Sequence, residues 1–184
     1  MSIFGFIRQS VANFRNVGAV AGSSRFLVER MLRPVDFSGP LNIVELGPGS
    51  GNFTRSILKK MNKNSSLTAY EINDAFFQHL EHQIHDERLA LKHDSAAAIL
   101  NDFPPGSVDV VVSSIPLAMM NAAMKKEILD ACVRALKPNG LYLQYQYSKS
   151  DLKLIRSYFP NLKTTFALLN LPPAIIYAGR KQQQ

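Results

Sequence analysis

The amino-acid sequence predicts a doubly wound α/β domain, and three observations support this fold class. After residue 40, short strand-like runs alternate with segments of helical periodicity. The run at 108–115, "VDVVVSSI", has the apolar character expected of a central parallel strand that is buried on both faces. The last two strand-like runs, within residues 163–181, are joined by "NLPP" with no helix between them. Together these features predict a mostly parallel sheet that ends in an antiparallel hairpin.

The individual elements follow from periodicity and from turn residues. Strands are expected at residues 41–46, 66–72, 89–94, 108–115 and 141–148, and helices at 52–61, 74–85, 124–136 and 150–159. Pro138 and Gly140 end the third of these helices, and Ser150 is expected to cap the fourth. The loop "RPVDFSGP" at 33–40 separates an N-terminal helical segment (residues 1–36) from the main domain (residues 37–184), within what we interpret as a single-domain chain.

Composition limits the class of protein and of partner. The chain of 184 residues is 46% hydrophobic and 19% charged, which is ordinary for a globular domain. No run of apolar residues is as long as a transmembrane helix requires. The single cysteine, Cys132, excludes an intrachain disulfide and favours a reducing compartment. The net charge of +7 favours an anionic partner: a nucleic acid, an anionic membrane surface or an acidic ligand.

A glycine-rich loop follows the first predicted strand, in "IVELGPGSGNFT". Gly47, Gly49 and Gly51 lie where ligands bind in a doubly wound sheet, beyond the end of the strand. Asn52 replaces the third glycine of a dinucleotide fingerprint, and Pro48 removes an N–H from the loop. No Gly-Lys-Ser/Thr sequence follows, so a P-loop is excluded. Nucleotide phosphates are therefore the poorer interpretation of this loop.

Acidic residues near the ends of the first three strands indicate a different ligand. Glu45 precedes the glycines, Glu71 ends the second predicted strand, and Asp94 ends the third. Glu71 is placed to accept both hydroxyls of a ribose, and Asp94 to accept from an exocyclic amine such as that of adenine. An acidic crevice of this kind suits a nucleoside with a cationic, phosphate-free tail. S-Adenosylmethionine fits this description.

The glycine loop with the acid before it, the acids at the ends of the second and third strands, and the terminal hairpin follow one another in the order found in the class I S-adenosylmethionine-dependent methyltransferases. The chain resembles these enzymes over roughly residues 40–180. The resemblance implies their Rossmann-like fold with a sheet of seven strands, and S-adenosylhomocysteine as the product derived from the cofactor. The implied cofactor site comprises Ser24, Glu45, Gly47, Gly49, Gly51, Glu71, Ile72, Asp94, Ser95 and Ser113.

A narrower resemblance extends over nearly the full length. The segments "GSSRFLVERM", "VELGPGSGNFT", "SSIPL", "LYLQYQYS" and "NLPPAIIYAGRK" are similar to the bacterial phospholipid N-methyltransferases. Those enzymes methylate phosphatidylethanolamine towards phosphatidylcholine. They are related to the rRNA adenine dimethylases but lack the C-terminal helical domain of the latter, for which this sequence also leaves no room. The resemblance implies a phospholipid substrate; a nucleic-acid (adenine N6-type) methyltransferase is the alternative.

The acceptor site is expected at the end of the fourth strand. Adenine N6-methyltransferases carry an Asn or Asp there, then prolines and an aromatic residue that stacks on the flipped base. Here Ser114 and Ile115 precede Pro116, and Leu117 stands in the aromatic position. Because a base cannot stack on a leucine, this segment argues against a nucleobase acceptor.

Two tyrosines at the end of the fifth strand are candidate catalytic residues together with Ser114. Tyr145, Tyr147 and the carbonyls around Ser113 to Ile115 are candidates to receive the proton of the acceptor amine, and the ring of Tyr147 could also hold a methylated ammonium. Strand packing is the alternative for both tyrosines. Arg25 is expected to bind the lipid phosphate or the cofactor carboxylate, unless it is a plain surface residue. His79, His82 and His85 are interpreted as a solvated helix face, so no metal is expected.

Residues 2–17 predict an amphipathic helix. Its apolar face is flanked by arginines, as in helices that lie in a membrane interface. The predicted membrane-contacting residues are Ile3, Phe4, Phe6, Ile7, Arg8, Val11, Phe14 and Arg15. A helix that covers the sheet edge, an oligomer contact and an organelle transit peptide are the alternatives. From the interfacial helix we expect a cytoplasmic protein that associates reversibly with the inner face of an anionic membrane. We expect no nucleic-acid partner.

Overall fold

The computed structural model describes residues 23–183, so the predicted N-terminal helix and its membrane-contacting residues lie outside the described residues. One sheet of seven strands forms the centre, in the order β3-β2-β1-β4-β5-β7-β6. The strands are β1 (Asn42–Leu46), β2 (Ser66–Tyr70), β3 (Leu89–Lys92), β4 (Val108–Ser113), β5 (Leu136–Gln146), β6 (Lys163–Ala167) and β7 (Ala174–Arg180). Strands β1 to β5 are parallel, and β7 pairs antiparallel with both β5 and β6. The predicted fold class, including the terminal hairpin, is confirmed.

Within residues 23–183, six α-helices cover the two faces of the sheet. They are α1 (Arg25–Leu32), α2 (Asn52–Lys60), α3 (Asp74–Gln83), α4 (Ile99–Asp102), α5 (Ala122–Ala135) and α6 (Leu152–Tyr158). Short 3₁₀ turns at Ala96–Ala98 and Leu117–Met119 precede α4 and α5.

The strands bury both of their faces, as the apolar sequence of β4 predicts. Helices α4, α5 and α6 pack on one face, where Ile99, Leu129 and Phe159 are fully buried. Helices α1 and α2 pack on the other face through side chains such as Leu27 and Ile57. Because successive strand residues point to opposite faces, Ile43 and Val44 belong to different packing clusters.

Two predicted boundaries are wrong for identifiable reasons. Strand β5 starts at Leu136, immediately after α5, because Leu136 pairs with Val108 before residues 137–140 bulge out and Leu141 pairs with Val110. Helix α6 begins at Leu152 with Asp151 as the residue before it, not with Ser150 as the cap. Asp151 is buried there because its carboxylate accepts a hydrogen bond from Lys125 Nζ at 2.6 Å.

The topology places the candidate site at one edge of the sheet. The carboxyl ends of parallel strands meet at the same edge, so the loops after β1, β2, β4 and β5 lie together there. Residue Gln146 of β5 pairs with Ile175 near the start of β7, which brings the β6–β7 loop to this edge as well. Within residues 23–183, no helix is long and apolar enough to cross a bilayer.

Candidate active site

The glycine loop turns directly out of β1 and leaves room for a ligand. Gly47, Gly49 and Gly51 have φ values of 69°, 55° and 84°, in the left-handed region that favours glycine. A Cβ at Gly47 would lie 2.8 Å from Ile115 Cγ2, so this glycine also allows close packing against the loop after β4. A Cβ at Gly49 would meet no atom of the described residues within 4 Å, so Gly49 borders open space in this part of the structure. The middle of the loop is therefore free to be approached closely.

Glu71 lies directly after β2, where the sequence predicts an acid at the end of the strand, and its carboxylate also bonds to the glycine loop. Its Oε2 accepts a hydrogen bond from Gly49 N at 3.0 Å, and its Oε1 accepts one from Asn73 N at 2.9 Å. Burial raises the pKa of Glu71, while these backbone N–H groups and that of Ile72 lower it in part. The backbone thus fixes the Glu71 carboxyl next to the open position at Gly49.

Glu45 lies beneath the loop and is fully buried. Thr54 Oγ1, from α2, donates a hydrogen bond to Glu45 Oε2 at 2.8 Å, whereas Oε1 has no partner within the described part of the chain. Burial raises the pKa of Glu45 to about 8, and the negative charge of Glu71 adds to the shift although the bond from Thr54 opposes it. The prediction that Glu45 lines an open acidic crevice is therefore incomplete, because its carboxyl is buried and holds its proton at neutral pH.

Asp94 and Ser95 lie beyond the end of β3, which stops at Lys92. Both residues are exposed. Asp94 Oδ1 accepts a hydrogen bond from Ser95 N at 2.6 Å, and Ser95 Oγ accepts one from Ala97 N at 3.2 Å to cap the following 3₁₀ turn. Asp94 thus presents a solvent-facing carboxylate at the same edge as Glu71, and Ser95 holds its loop.

The ends of β4 and β5 form the opposite side of the site, which we call the acceptor mouth: Ser114, Pro116, Tyr145 and Tyr147. The Tyr145 ring stacks on Phe53 at 6.0 Å and meets the Tyr147 ring edge-on at 5.8 Å. Ser23 Oγ donates a hydrogen bond to Tyr145 Oη at 3.2 Å. Tyr147 is 43% exposed. The mouth therefore combines a fixed inner tyrosine with an outer tyrosine that faces solvent.

Two serine hydroxyls at the end of β4 have no hydrogen-bond partner among the described residues. Ser113 Oγ and Ser114 Oγ are both buried atoms without a partner. Ser113 lies near the Tyr142 hydroxyl and Ser114 near the Tyr145 hydroxyl, where each serine in part opposes the raised pKa of its tyrosine, so neither serine hydroxyl by itself requires a ligand.

Three expectations for the acceptor side need correction. The Leu117 side chain is fully buried in the core, so it faces no acceptor and cannot report on the substrate. The Ile115 carbonyl already accepts hydrogen bonds from Gln144 Nε2 at 3.1 Å and Gln146 Nε2 at 2.9 Å, so it is not free to bind an amine. Burial raises the pKa of Tyr145 to about 12, so this phenol keeps its proton at neutral pH and is unsuited to act as a base.

The N-terminal part of the described chain closes over this side. Ser24 Oγ accepts a hydrogen bond from Leu27 N at 3.2 Å and so caps α1, which commits this hydroxyl to the helix. The Ser23 carbonyl accepts one from Asn52 Nδ2 at 3.0 Å, which ties the segment to the residue after the glycine loop. Arg25 is exposed at the first turn of α1, next to this segment. His79, His82 and His85 are exposed, and no group of metal-ligating side chains lies within residues 23–183.

Sequence reasoning missed several residues that shape the site. Gln144 and Gln146 fix the loop after β4, and Asn170 Oδ1 accepts a hydrogen bond from Ser24 N at 3.1 Å. The sequence could have indicated the role of the two glutamines, because polar amides in a central strand need buried hydrogen-bond partners. Asn170 carried no such indication, because its partner lies 146 positions away in the chain.

The described residues fit S-adenosylmethionine. The open position at Gly49, the fixed carboxyl of Glu71 and the exposed carboxylate of Asp94 suit a nucleoside with a cationic tail. The glycine loop and Glu71 would hold the nucleoside side, and Glu45 lies buried beneath the loop. Fold and site together define a Rossmann-like methyltransferase that uses S-adenosylmethionine.

Comparisons with known proteins agree with this class. A family profile described as a methyltransferase domain matches residues 43–140, more than half of the chain, so the protein belongs to the methyltransferase domain family. The N-methyltransferase NodS from Bradyrhizobium japonicum WM9 has a TM-score of 0.69 at 12% identity, with 85% of this chain and 94% of that chain covered. A second NodS structure, in complex with S-adenosyl-L-homocysteine, has a TM-score of 0.68 at 13% identity and covers 87% of this chain and 89% of its own. At such identities the likeness concerns the fold alone.

Curated relatives carry a different name. A polyamine aminopropyltransferase from Xanthomonas oryzae pv. oryzae is 30% identical over 151 residues, which cover 75% of this chain and 52% of the relative. A protein of the same name from Xanthomonas campestris pv. campestris is 28% identical over the same length. This chain therefore spans about half the length of the curated relatives that it matches.

Proposed function

We propose that this methyltransferase acts on the amine headgroup of a membrane phospholipid and converts phosphatidylethanolamine towards phosphatidylcholine. The observation that carries the proposal is the aromatic pair at the acceptor mouth, where the exposed Tyr147 meets Tyr145 edge-on at 5.8 Å. An aromatic face attracts a desolvated or methylated ammonium, which is the group that accumulates on such a headgroup. The resemblance of "SSIPL" and "LYLQYQYS" to the phospholipid N-methyltransferases supports the same substrate class.

The roles of the mouth residues follow from their surroundings. Tyr147 holds the ammonium at the entrance through its ring, and Tyr145, which stays a neutral phenol, orients the amine through its oxygen. Ser114 Oγ lies near the Tyr145 hydroxyl and accepts an N–H of the amine. Because Tyr147 faces solvent, the ammonium loses its proton to water at the mouth. The bound cofactor supplies a methyl group on a sulfonium, an excellent leaving group, so positioning of the amine is the main task of these residues.

Aminopropyl transfer to a polyamine is the second candidate, and the names of the curated relatives favour it. A polyamine carries several positive charges and is best held by several carboxylates. None of the four mouth residues is acidic, so the mouth is better suited to a single ammonium. A nucleic-acid acceptor is a third outcome for the test.

We further propose that the protein works as a peripheral protein on the inner, anionic face of the cell membrane, with residues 2–17 as an interfacial helix. The arginine-flanked apolar face of that segment supports this. Deletion of residues 1–17 should abolish flotation with anionic vesicles while leaving the affinity for S-adenosylmethionine unchanged. Flotation that survives the deletion would remove the helix from the proposal.

The substrate is tested by supplying methyl-labelled S-adenosylmethionine with phosphatidylethanolamine vesicles, with total RNA, or with putrescine. We expect label in extracted lipid and in neither of the other two. Label in RNA would replace the proposed function with methylation of a nucleic acid. A mass gain of putrescine by one aminopropyl group, when an aminopropyl donor is supplied, would replace it with aminopropyl transfer.

The role of the exposed tyrosine is tested by substitution. Tyr147→Leu should lower the rate of lipid methylation at least about tenfold by removing the ring. The matched variant Tyr147→Phe, which keeps the ring, should retain most of it.

A further inference from the structure

Three leucines at the tip of the β6–β7 loop are exposed to solvent. Leu168, Leu169 and Leu171 are 74%, 71% and 87% exposed, whereas Asn170 between them is 4% exposed. The Asn170 side chain donates a hydrogen bond from Nδ2 to the Pro172 carbonyl at 2.8 Å and accepts one from Ser24 N. A single exposed leucine needs no explanation, but three leucines held outward around one buried asparagine form an apolar patch with a fixed shape.

The first turn of α1 extends this patch. Phe26 is 61% exposed and lies two residues after Ser24, whose N–H is bound by Asn170. Phe26, Leu168 and Leu169 line the same groove of about 820 Å³ beside β6. We call Phe26, Leu168, Leu169 and Leu171 the leucine tip. It joins two elements that are far apart in sequence, so it is a property of the folded chain.

The surroundings of the leucine tip are positively charged. Arg25, Arg30 and Arg33 are exposed on and just after α1. The only acid within α1, Glu29, already pairs with Lys60 at 2.9 Å. On the far side of the hairpin, Lys149 Nζ lies 5.6 Å from the centre of the Phe166 ring. An apolar tip among cations complements a surface that has an apolar interior and anionic headgroups.

The leucine tip lies at the edge of the sheet that carries the site. Strand β7 begins where β5 ends, since Ile175 pairs with Gln146, so the loop before β7 lies at the same edge of the sheet as the acceptor mouth. Ser23, one residue before the Ser24 that Asn170 binds, donates a hydrogen bond to Tyr145. A surface that engages the tip therefore faces the mouth.

We propose that the leucine tip inserts into an anionic lipid bilayer at the boundary between headgroups and acyl chains, with Arg25, Arg30 and Arg33 on lipid phosphates. This contact is separate from the N-terminal segment 2–17. Its use in catalysis rests on the proposed function, because it would bring a headgroup amine to the mouth, but the membrane contact itself does not.

The first test measures flotation of the full-length protein with vesicles of phosphatidylcholine and phosphatidylglycerol. The triple variant Leu168→Gln, Leu169→Gln, Leu171→Gln should bind these vesicles at least about tenfold more weakly, because burial of one leucine alone contributes about that factor. Arg30→Glu with Arg33→Glu should weaken binding similarly. The matched pair Arg134→Glu with Arg156→Glu, exposed on α5 and α6, should have a much smaller effect. Equal weakening by both arginine pairs, or unchanged binding of the leucine variant, would overturn the proposal.

The second test asks what covers the leucine tip. An environment-sensitive fluorophore on Leu169→Cys should shift to the blue when vesicles are added, and one on Arg134→Cys should not; the native Cys132 is fully buried and will not react. A Leu169 probe that is already shielded without lipid shows that residues 1–22 or a second copy occupy the tip, and sedimentation separates these two cases. Either result would overturn the bilayer contact.

The proposed function can fail or survive independently of this contact. Short-chain phosphatidylethanolamine dissolved as monomers requires no bilayer docking. If the leucine variant methylates this substrate at the normal rate and loses only its activity on vesicles, both proposals stand. Normal vesicle binding by the leucine variant rejects the contact alone, and absence of label in any lipid rejects the proposed function alone.

Discussion

Glu45 and Glu71 lie at the same edge of the sheet, yet their surroundings give their carboxyl groups different properties. Glu71 accepts hydrogen bonds from two backbone N–H groups, which favour its charged form, whereas Glu45 has one hydroxyl donor and one unpaired oxygen in a buried position. Glu71 is thus built to accept hydrogen bonds from a ligand, and Glu45 to respond to a nearby positive charge.

The raised pKa of Glu45 makes stability depend on pH. Its native pKa of about 8 lies above the usual value of 4.5, so between these values the native state holds a proton that the unfolded state has released. Stability from this group is therefore present at low pH and is lost as the pH rises towards 8. Glu45→Gln should nearly match the natural protein near about pH 5 and exceed its free energy of unfolding by roughly 5 kcal/mol near about pH 9. Urea unfolding at the two pH values measures this, and an equal difference at both would contradict the assignment.

Glu71→Ala should weaken S-adenosylmethionine binding by one to three orders of magnitude, roughly 1.5 to 4 kcal/mol, because charge-assisted hydrogen bonds are lost. Isothermal calorimetry measures the affinity. Glu81→Ala, at an exposed position on α3, is the control and should bind normally. An unchanged affinity in Glu71→Ala would remove this residue from the site.

Gly49 tests whether the open space beside the loop is the cofactor site. Gly49→Ala meets no atom of residues 23–183 but places a side chain at a φ of 55°, which costs roughly 1 to 2 kcal/mol of stability. Gly106→Ala is a matched control, with a φ of 73° and equally open surroundings far from the site. Both variants should lose similar stability in urea, but only Gly49→Ala should also lose cofactor affinity. Equal cofactor affinities of the Gly49→Ala and Gly106→Ala variants would show that the cofactor binds elsewhere.

At the scale of elements, α1 and the terminal hairpin form one side of the site although they lie at opposite ends of the described chain. Helix α1 packs on the sheet through Leu27 and Met31, and its cap is bound by Asn170 from the β6–β7 loop. The inner tyrosine of the mouth is bonded to the same segment through Ser23. Movement of this segment therefore changes the mouth and the leucine tip together.

Asn170→Ala should destabilise this junction by about 1 to 3 kcal/mol, because a buried N–H and a carbonyl lose their partner. The Ser24 amide should then exchange its hydrogen faster, as measured by native-state hydrogen exchange. Asn161→Ala, which removes an exposed bond to Arg180 N at the other end of β7, should leave the Ser24 amide unchanged. Equal hydrogen-exchange protection of the Ser24 amide in the natural protein and in both variants would show that the Asn170 bond contributes nothing to the junction.

At the scale of the whole molecule, the net charge of +7 and the cations around the leucine tip make the proposed membrane association electrostatic in part. Raising the salt concentration from about 0.1 M to about 1 M shortens the screening length from about 10 Å to about 3 Å. Flotation with anionic vesicles should therefore fall steeply over this range, while cofactor affinity changes little. Binding that is insensitive to salt would exclude the arginine contacts.

Much of the fold was predictable because its signals are local. The apolar run of β4, the glycines after β1 and the missing helix before β7 determine the sheet type and its terminal hairpin within a few residues each. The bulge of β5 was not predictable, because pairing of Leu136 with Val108 overrides the turn tendency of Pro138 and Gly140. The burial of Leu117 also depends on tertiary structure, because the sequence alone does not distinguish an apolar loop residue that lines a site from one that fills the core.

By itself the sequence determined the fold class, the glycine loop and the acids that together indicate S-adenosylmethionine, because spacing along the chain suffices to bring the ends of parallel strands to one edge. Only the tertiary structure decided which of these groups are free. It buried Glu45, saturated the Ile115 carbonyl and turned the leucines outward around Asn170. The bonds to the Ile115 carbonyl and the bond between Asn170 and Ser24 join partners 29 to 146 positions apart along the chain, and only folding brings such partners into hydrogen-bond distance.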